Sequence, residues 1–325
     1  MKQEVRLDNN YAPPFWLRPA SVQTFLASLK LRARARCAMD AAAKTRIITT
    51  TAGVRLMGIY SQQPGAKGLL ILLHGWEGSA ESTYMRITGR TFFEAGYDLL
   101  RLNMRDHGAS HHLNEGLFLA TNLDEVVDAV RTIVSDYNSG PVFLAGFSLG
   151  GNFALRIAGR LAATPLAKLR HVVAVSPVVD PYKATLRIDA IYPILWYFRK
   201  KWCRSLSIKA GLYPDMYRFD ELNEKLNLMQ MTERFISRYS DYPDARTYLN
   251  AYGIIPEIFS RIRVPVTVIT AADDPIIPAA DLMKLPENPN IKRIITPHGG
   301  HNGFIEADLK STYYEKVMKA AFAPF

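Results

Sequence analysis

The sequence predicts an α/β protein, a doubly wound and mostly parallel eight-stranded sheet carrying a helical insertion. Short apolar, β-rich runs alternate with longer stretches of helical periodicity, the pattern of parallel strands joined by crossover helices. The alternation stops between residues 180 and 263 and resumes at Val264. The composition supports a sizeable core, with 325 residues, 48% hydrophobic and 22% charged, and with the 20 Gly and 19 Pro scattered rather than concentrated. That excludes disordered, collagen-like and low-complexity chains. Length alone allows two domains at about 150 residues each, but a single core with an insertion fits equally well.

Residues 1–44 precede the alternation and form a basic segment expected to pack on the core. Residues 1–46 hold nine Lys or Arg against three Asp or Glu, a large share of the formal net charge of +10. Lys30, Arg32, Arg34 and Arg36 supply much of it, at a spacing that a helix spreads around its circumference and a strand gathers on one face. The ordinary expectation is a solvated arm, and weak peripheral contact with an anionic membrane is the sharper one. Nucleic acid is not expected as a partner, because no recognition motif accompanies the charge.

The core is expected over 45–179 and 264–325, with strands at 45–50, 54–60, 69–73, 98–102, 142–145, 172–175, 266–270 and 291–295. The first two form an antiparallel hairpin around Ala52-Gly53. Helical periodicity marks 84–95, 123–137, 149–162 and 308–322. Residues 180–263 are rich in Tyr, Trp, Arg and Lys and are expected to form a helical cap. Within them, Tyr192-Pro193-Ile194-Leu195-Trp196-Tyr197-Phe198-Arg199-Lys200-Lys201-Trp202 joins aromatics to a basic cluster. Those aromatics pack the cap onto the core or roof an apolar acyl pocket.

Two cysteines, Cys37 and Cys203, make no disulfide framework or zinc site, and a reducing compartment is the default. The charged start, Met1 to Arg6, lacks the apolar stretch and small-residue cleavage site of a secretory leader. No apolar run approaches the roughly 18 to 20 residues that span a bilayer. A cytoplasmic protein is expected.

The chemistry concentrates in three loops. Gly146-Phe147-Ser148-Leu149-Gly150 follows an apolar strand and opens a helix, the context of a nucleophile elbow. Its glycines permit a turn too tight for side chains, and Ser148 then projects at a helix N-terminus whose dipole favours developing negative charge. A serine hydroxyl needs a base and an orienting carboxylate, in the chain order Ser, Asp, His. Ala272-Asp273-Asp274-Pro275-Ile276-Ile277-Pro278 follows a strand and supplies the acid, Asp274 being favoured over Asp273, which would cap or brace the turn. Pro297-His298-Gly299-Gly300-His301-Asn302-Gly303 follows the last strand and supplies the base, His301, with His298 its local rival.

An oxyanion needs donors as well. The backbone N–H of Leu149 is one, and that of Trp76, in His74-Gly75-Trp76-Glu77-Gly78, is the other candidate. Asn103-Met104-Arg105-Asp106-His107-Gly108-Ala109-Ser110 brings a further histidine, His107, expected to hold its loop beside the oxyanion site rather than to act as base. A metal site built from His107, His111 and His112 would lack completing carboxylates or cysteines, so no metal is expected.

Together these motifs resemble the α/β-hydrolase superfamily from about Val54 to the C-terminus. More narrowly, Gly146 to Asn152, Asp273-Asp274-Pro275 and Gly299-Gly300-His301 resemble the YheT-like hydrolases, whose eukaryotic relatives act on acylglycerols and phospholipids. Pro19-Ala20-Ser21-Val22-Gln23-Thr24 resembles the opening segment of those proteins, except that Ser21 and Val22 stand where an Asn or Gly and a His usually precede Gln-Thr. The resemblance implies a carboxylic-ester hydrolase without cofactor, acting on a small-molecule ester. The alternatives are an acyltransferase using the same three residues and a binding protein that keeps the fold without the chemistry.

Overall fold

Leu69–Leu73 is apolar at every position, so a strand built from it must be covered on both faces. In the computed structural model, which describes residues 7–325 except 35 and 224, it lies near the middle of a single sheet. The strands are β1 (Ala43–Thr49), β2 (Arg55–Ser61), β3 (Leu69–Leu73), β4 (Asp98–Asn103), β5 (Val142–Phe147), β6 (Leu169–Val175), β7 (Val266–Ala271) and β8 (Ile291–Thr296), in the order β1-β2-β4-β3-β5-β6-β7-β8. Pairing is parallel from β4 through β8, and β2 runs antiparallel to both β1 and β4. Gly53, at φ 77, makes the β1–β2 turn in a conformation that favours glycine.

The helices are α1 (Ala20–Ser28), α2 (Ala38–Ala41), α3 (Thr83–Glu94), α4 (Leu123–Asp136), α5 (Leu149–Arg160), α6 (Pro181–Ala190), α7 (Tyr192–Leu212), α8 (Leu228–Tyr239), α9 (Ala245–Ala251), α10 (Pro256–Arg261), α11 (Ala279–Met283) and α12 (Tyr313–Phe322). Strand alternation divides the interior in two. Leu69, Ile71 and Leu73 face a core shared with α4, α5 and α10, while Leu70 and Leu72 face one shared with α3 and α12. Tyr11 and Met39 from the N-terminal segment join the second core. Between β6 and β7 the chain forms α6–α10 and, among the described residues, no strand.

The last helix begins at Tyr313, five residues later than the periodicity suggests. Asp308 Oδ1 accepts the N–H groups of Lys310 and Ser311, and Leu309 sits at φ 57, which breaks helical continuity. Thr312 then caps α12 through a reciprocal box with Glu315. The basic run is also less open than its spacing suggests. Lys30–Ala33 forms a short 3-10 helix in which Arg32 folds back, donating to the carbonyls of Leu309 and Leu26, while Lys30, Arg34 and Arg36 stay exposed.

Met1 to Arg6, on which the expectation of no secretory leader rests, lie outside the described residues. Among the described residues no helix is long and apolar enough to cross a membrane, and no three of His, Cys, Asp and Glu gather as metal ligands do.

Candidate active site

Ser148 sits between β5 and α5 at φ 54, ψ −115, a strained conformation costing roughly 1–3 kcal/mol. Both flanking glycines are required by space. A Cβ at Gly146 would lie 2.0 Å from the Gly150 carbonyl oxygen, and one at Gly150 would lie 2.3 Å from that of Leu73. The Ser148 N–H donates to Val175 O at 2.9 Å, which fixes the turn against β6.

Three side chains from separate loops meet there. Ser148 Oγ is 3.0 Å from His301 Nε2, and His301 Nδ1 is 2.9 Å from Asp274 Oδ2. Asp274 is buried, and its other oxygen accepts the N–H groups of Ile276 and Ile277 at 2.8 and 2.9 Å. A carboxylate so held accepts from Nδ1–H, which leaves Nε2 to accept the serine proton. Asp273 turns elsewhere. It accepts the Gly300 N–H at 2.9 Å and lies 3.6 Å from His298 Nδ1, so the two adjacent acids engage different parts of the histidine loop. Burial, with the neighbouring Asp274 charge adding to it, raises the Asp273 carboxyl above its ordinary range.

The two candidate oxyanion donors border the serine. Leu149 is the first residue of α5, so its N–H has no partner within the helix. The Trp76 N–H makes no hydrogen bond among the described residues, whereas its loop neighbours do: Gly75 N–H donates to Tyr84 Oη at 2.9 Å and Glu77 N–H to His107 Nε2 at 3.2 Å. Burial pushes the Tyr84 hydroxyl up to about 12, so it stays protonated. His107 Nδ1 faces the Arg105 carbonyl at 2.7 Å, and it must donate there because a carbonyl only accepts. His74 is arranged alike, with Nδ1 on Gly75 O and Nε2 accepting from Met104 N–H. Burial lowers the His74 imidazole to about 4 and that of His107 well below its ordinary value, so both brace the loops as neutral rings. His111 Nε2 is spent on Ser205 Oγ at 2.8 Å.

Several residues of the site escape the sequence reading. Thr24 Oγ1 accepts the His301 N–H at 2.9 Å, and buried Gln23 accepts Ile305 N–H while donating to Leu17 O and Tyr11 Oη. The signal is the Gln23-Thr24 pair, which closes the N-terminal segment that carries the resemblance. Helix α7 supplies the others. Lys201 Nζ donates to Glu77 O at 2.9 Å, Ser205 Oγ to Asp106 O, and Lys209 Nζ to Asp106 Oδ1 at 2.8 Å. Positions 201, 205 and 209 share one helical face, a spacing visible only once 192–212 is read as one continuous helix. Trp76 stacks on Phe198 and meets Trp202 edge-on, with centroids 5.5 and 5.2 Å apart. The resulting pocket runs from Ser148 and His301 past Phe118, Trp202, Leu206 and Phe235 and is mainly apolar.

Comparison with known proteins agrees with this architecture. The family model described as the alpha/beta hydrolase fold matches residues 68–308. Among curated relatives, the putative esterase slr0264 of Synechocystis is 24% identical, covering 91% of this chain and 87% of its own. The putative esterase YheT of Escherichia coli is 22% identical, covering 75% and 72%. Human phospholipase ABHD3 is 23% identical over 77% of this chain, and the match spans 62% of that protein's length. The solved esterase Pf2001 of Pyrococcus furiosus superposes with a TM-score of 0.60 at 18% identity, over 89% of this chain and 94% of that one. With the family model covering most of its length, and with the sheet order and elbow described above, the chain belongs to the alpha/beta hydrolase fold family.

Proposed function

We propose that this chain is a serine hydrolase of carboxylic esters with acyl or lipid-like groups, working through an acyl-enzyme intermediate. The observation that carries the proposal is the relay from Ser148 Oγ through His301 to Asp274, with links of 3.0 and 2.9 Å. His301 Nε2 takes the serine proton as Oγ attacks the ester carbonyl, and Asp274 stabilises the imidazolium. The tetrahedral oxyanion is held by the N–H groups of Trp76 and Leu149, each such donor being worth about 3 kcal/mol of barrier. Collapse breaks the carbon–oxygen bond to the alcohol, which leaves with the proton from His301. Water then repeats the sequence on the acyl-serine and releases the acid.

Residues 180–263 act in this proposal as a cap. Phe198, Trp202, Leu206 and Phe235 line the pocket from that segment, and an acyl chain is the ligand that such an apolar lining suits. The names of relatives, phospholipase ABHD3 and putative esterase YheT, favour the same chemistry. Weak contact with anionic membrane is part of the reading too. Helix α7 contains no acidic residue, and Tyr192, Trp196, Lys200, Arg204, Ile208 and Leu212 form an exposed stripe along it. Salt-sensitive sedimentation with phosphatidylserine vesicles is the expected result, and indifference to vesicles removes this element alone.

The deciding experiment is hydrolysis of p-nitrophenyl esters from acetyl to palmitoyl by the wild type beside Ser148→Ala. Activity that falls by about 10⁴-fold or more with the serine is expected. No activity across the series, with Ser148 unreactive to a fluorophosphonate, favours the non-catalytic alternative. Ester formation when an alcohol acceptor is added marks an acyltransferase.

A further inference from the structure

The loop after β3 carries a carboxyl group that the proposed mechanism does not use. Glu77 lines the same pocket as Ser148 and His301, one residue beyond the candidate donor Trp76. The loop presses against the nucleophile, since a Cβ at Gly75 would come within 3.2 Å of the Ser148 Cβ.

The backbone of Glu77 is held on both sides. Its N–H goes to His107 and its carbonyl accepts from Lys201, and these contacts fix it at φ 53, a conformation few glutamates adopt. The side chain contributes nothing to that arrangement. Among the described residues its carboxyl makes no hydrogen bond and no ion pair within 4 Å, and Lys201 gives its 2.9 Å hydrogen bond to the Glu77 carbonyl instead. Polar neighbours in the pocket are occupied differently. Asp106 and Lys209 pair with each other, His107 uses both ring nitrogens, and Ser205 bonds to Asp106 O and His111. A partly buried carboxyl without a protein partner, on a residue that lines the same mainly apolar cleft as Ser148 and His301, is open to a ligand. Burial outweighs the attraction of Lys201 and pushes this carboxyl up to about 8, so at neutral pH it is chiefly the uncharged acid, able both to donate and to accept a hydrogen bond.

We propose that Glu77 is a substrate-recognition residue whose carboxyl hydrogen-bonds a hydroxyl carried by the ester, so that hydroxyl-bearing esters are preferred to deoxy analogues. The proposal rests on the reading of Ser148 as the nucleophile of an esterase. A neutral carboxyl suits an uncharged hydroxyl, whose desolvation is modest, better than it suits an anionic head group.

The test compares kcat/KM for glyceryl monobutyrate and propyl butyrate in wild type, Glu77→Gln and Glu77→Met. Taking the ratio within each variant cancels differences in the folded fraction. A wild-type ratio of about tenfold for the glyceryl ester is expected, collapsing towards one in Glu77→Met and partly kept in Glu77→Gln, whose amide still donates and accepts. A wild-type ratio near one, or an undiminished ratio in Glu77→Met, overturns the assignment. Fluorophosphonate labelling of Ser148 without hydrolysis of the glyceryl ester also overturns it alone. Absence of both labelling and hydrolysis overturns the esterase reading together with this one.

Discussion

Thr24 and His301 stand 277 positions apart, and the Thr24 hydroxyl accepts the His301 backbone N–H at 2.9 Å while donating its own proton to Ala20 O at 2.7 Å. The N-terminal segment thereby holds the candidate base from behind. Close packing accompanies the bond: a Cβ at Gly300 would lie 2.5 Å from Ala20 O, and one at Gly303 would lie 2.7 Å from Gln23 Oε1.

Replacing Thr24 with valine keeps the shape and removes both hydrogen bonds. A loss of about 1 kcal/mol in stability is expected, with kcat reduced by tenfold or more because the imidazole is no longer fixed. Steady-state kinetics should show KM little changed, and Thr24→Ser should recover most of kcat.

The adjacent acids should separate cleanly. Asp274→Asn removes the acceptor that fixes the His301 tautomer, and kcat on p-nitrophenyl butyrate should drop by about 10⁴-fold. Asp273→Asn keeps an oxygen able to accept from Gly300 N–H, and a loss within about tenfold is expected.

Lys209 is 1% exposed and bound to Asp106 and to the carbonyls of Asn114 and Gly116. Lys209→Met strands a buried carboxylate, and urea denaturation should show about 3–5 kcal/mol lost. Adding Asp106→Asn to the same chain should return part of that loss.

His171 on β6 is buried, with Nε2 on Thr267 Oγ1 of β7 at 2.9 Å, and burial lowers it to about 4. Between pH 4 and pH 6.5 the unfolded chain therefore binds a proton that the folded chain does not. Stability from this group falls as pH drops through that window, by up to about 1.4 kcal/mol per pH unit. His171→Gln should flatten the dependence of unfolding free energy on pH by that amount. Glu77 acts in the opposite sense: with its folded value raised to about 8, it lowers stability as pH rises above 4.5. The difference between wild type and variant isolates the histidine.

Much of this was legible because local rules and tertiary structure agree. The all-apolar run at β3 and the glycines around Ser148 each admit one structural solution. The chain order Ser, Asp, His likewise points to Asp274 and His301 in the loops after β7 and β8, and the structure sets His301 within hydrogen-bond reach of both Asp274 and Ser148. Helix ends were harder, since Asp308 competes for backbone N–H groups with a side-chain oxygen and delays α12 to Tyr313. Contacts between distant segments were not legible at all. Thr24, Lys201 and Lys209 bond mostly to main-chain atoms or to loops about a hundred residues or more away, and such partners leave no local pattern.

Helix α7 is fastened at Lys201 to the loop of Glu77 and at Lys209 to the loop of Asp106, two points about 12 Å apart along its axis. Deleting one residue between them would turn one anchor by about 100° away from its loop. Indels are therefore barred from this stretch as a route to new specificity. Divergence among descendants of this framework is left to point substitution at Phe198, Trp202 and Leu206, which stand four apart on the inward face, so lineages should differ there in side-chain bulk while keeping the helix in register.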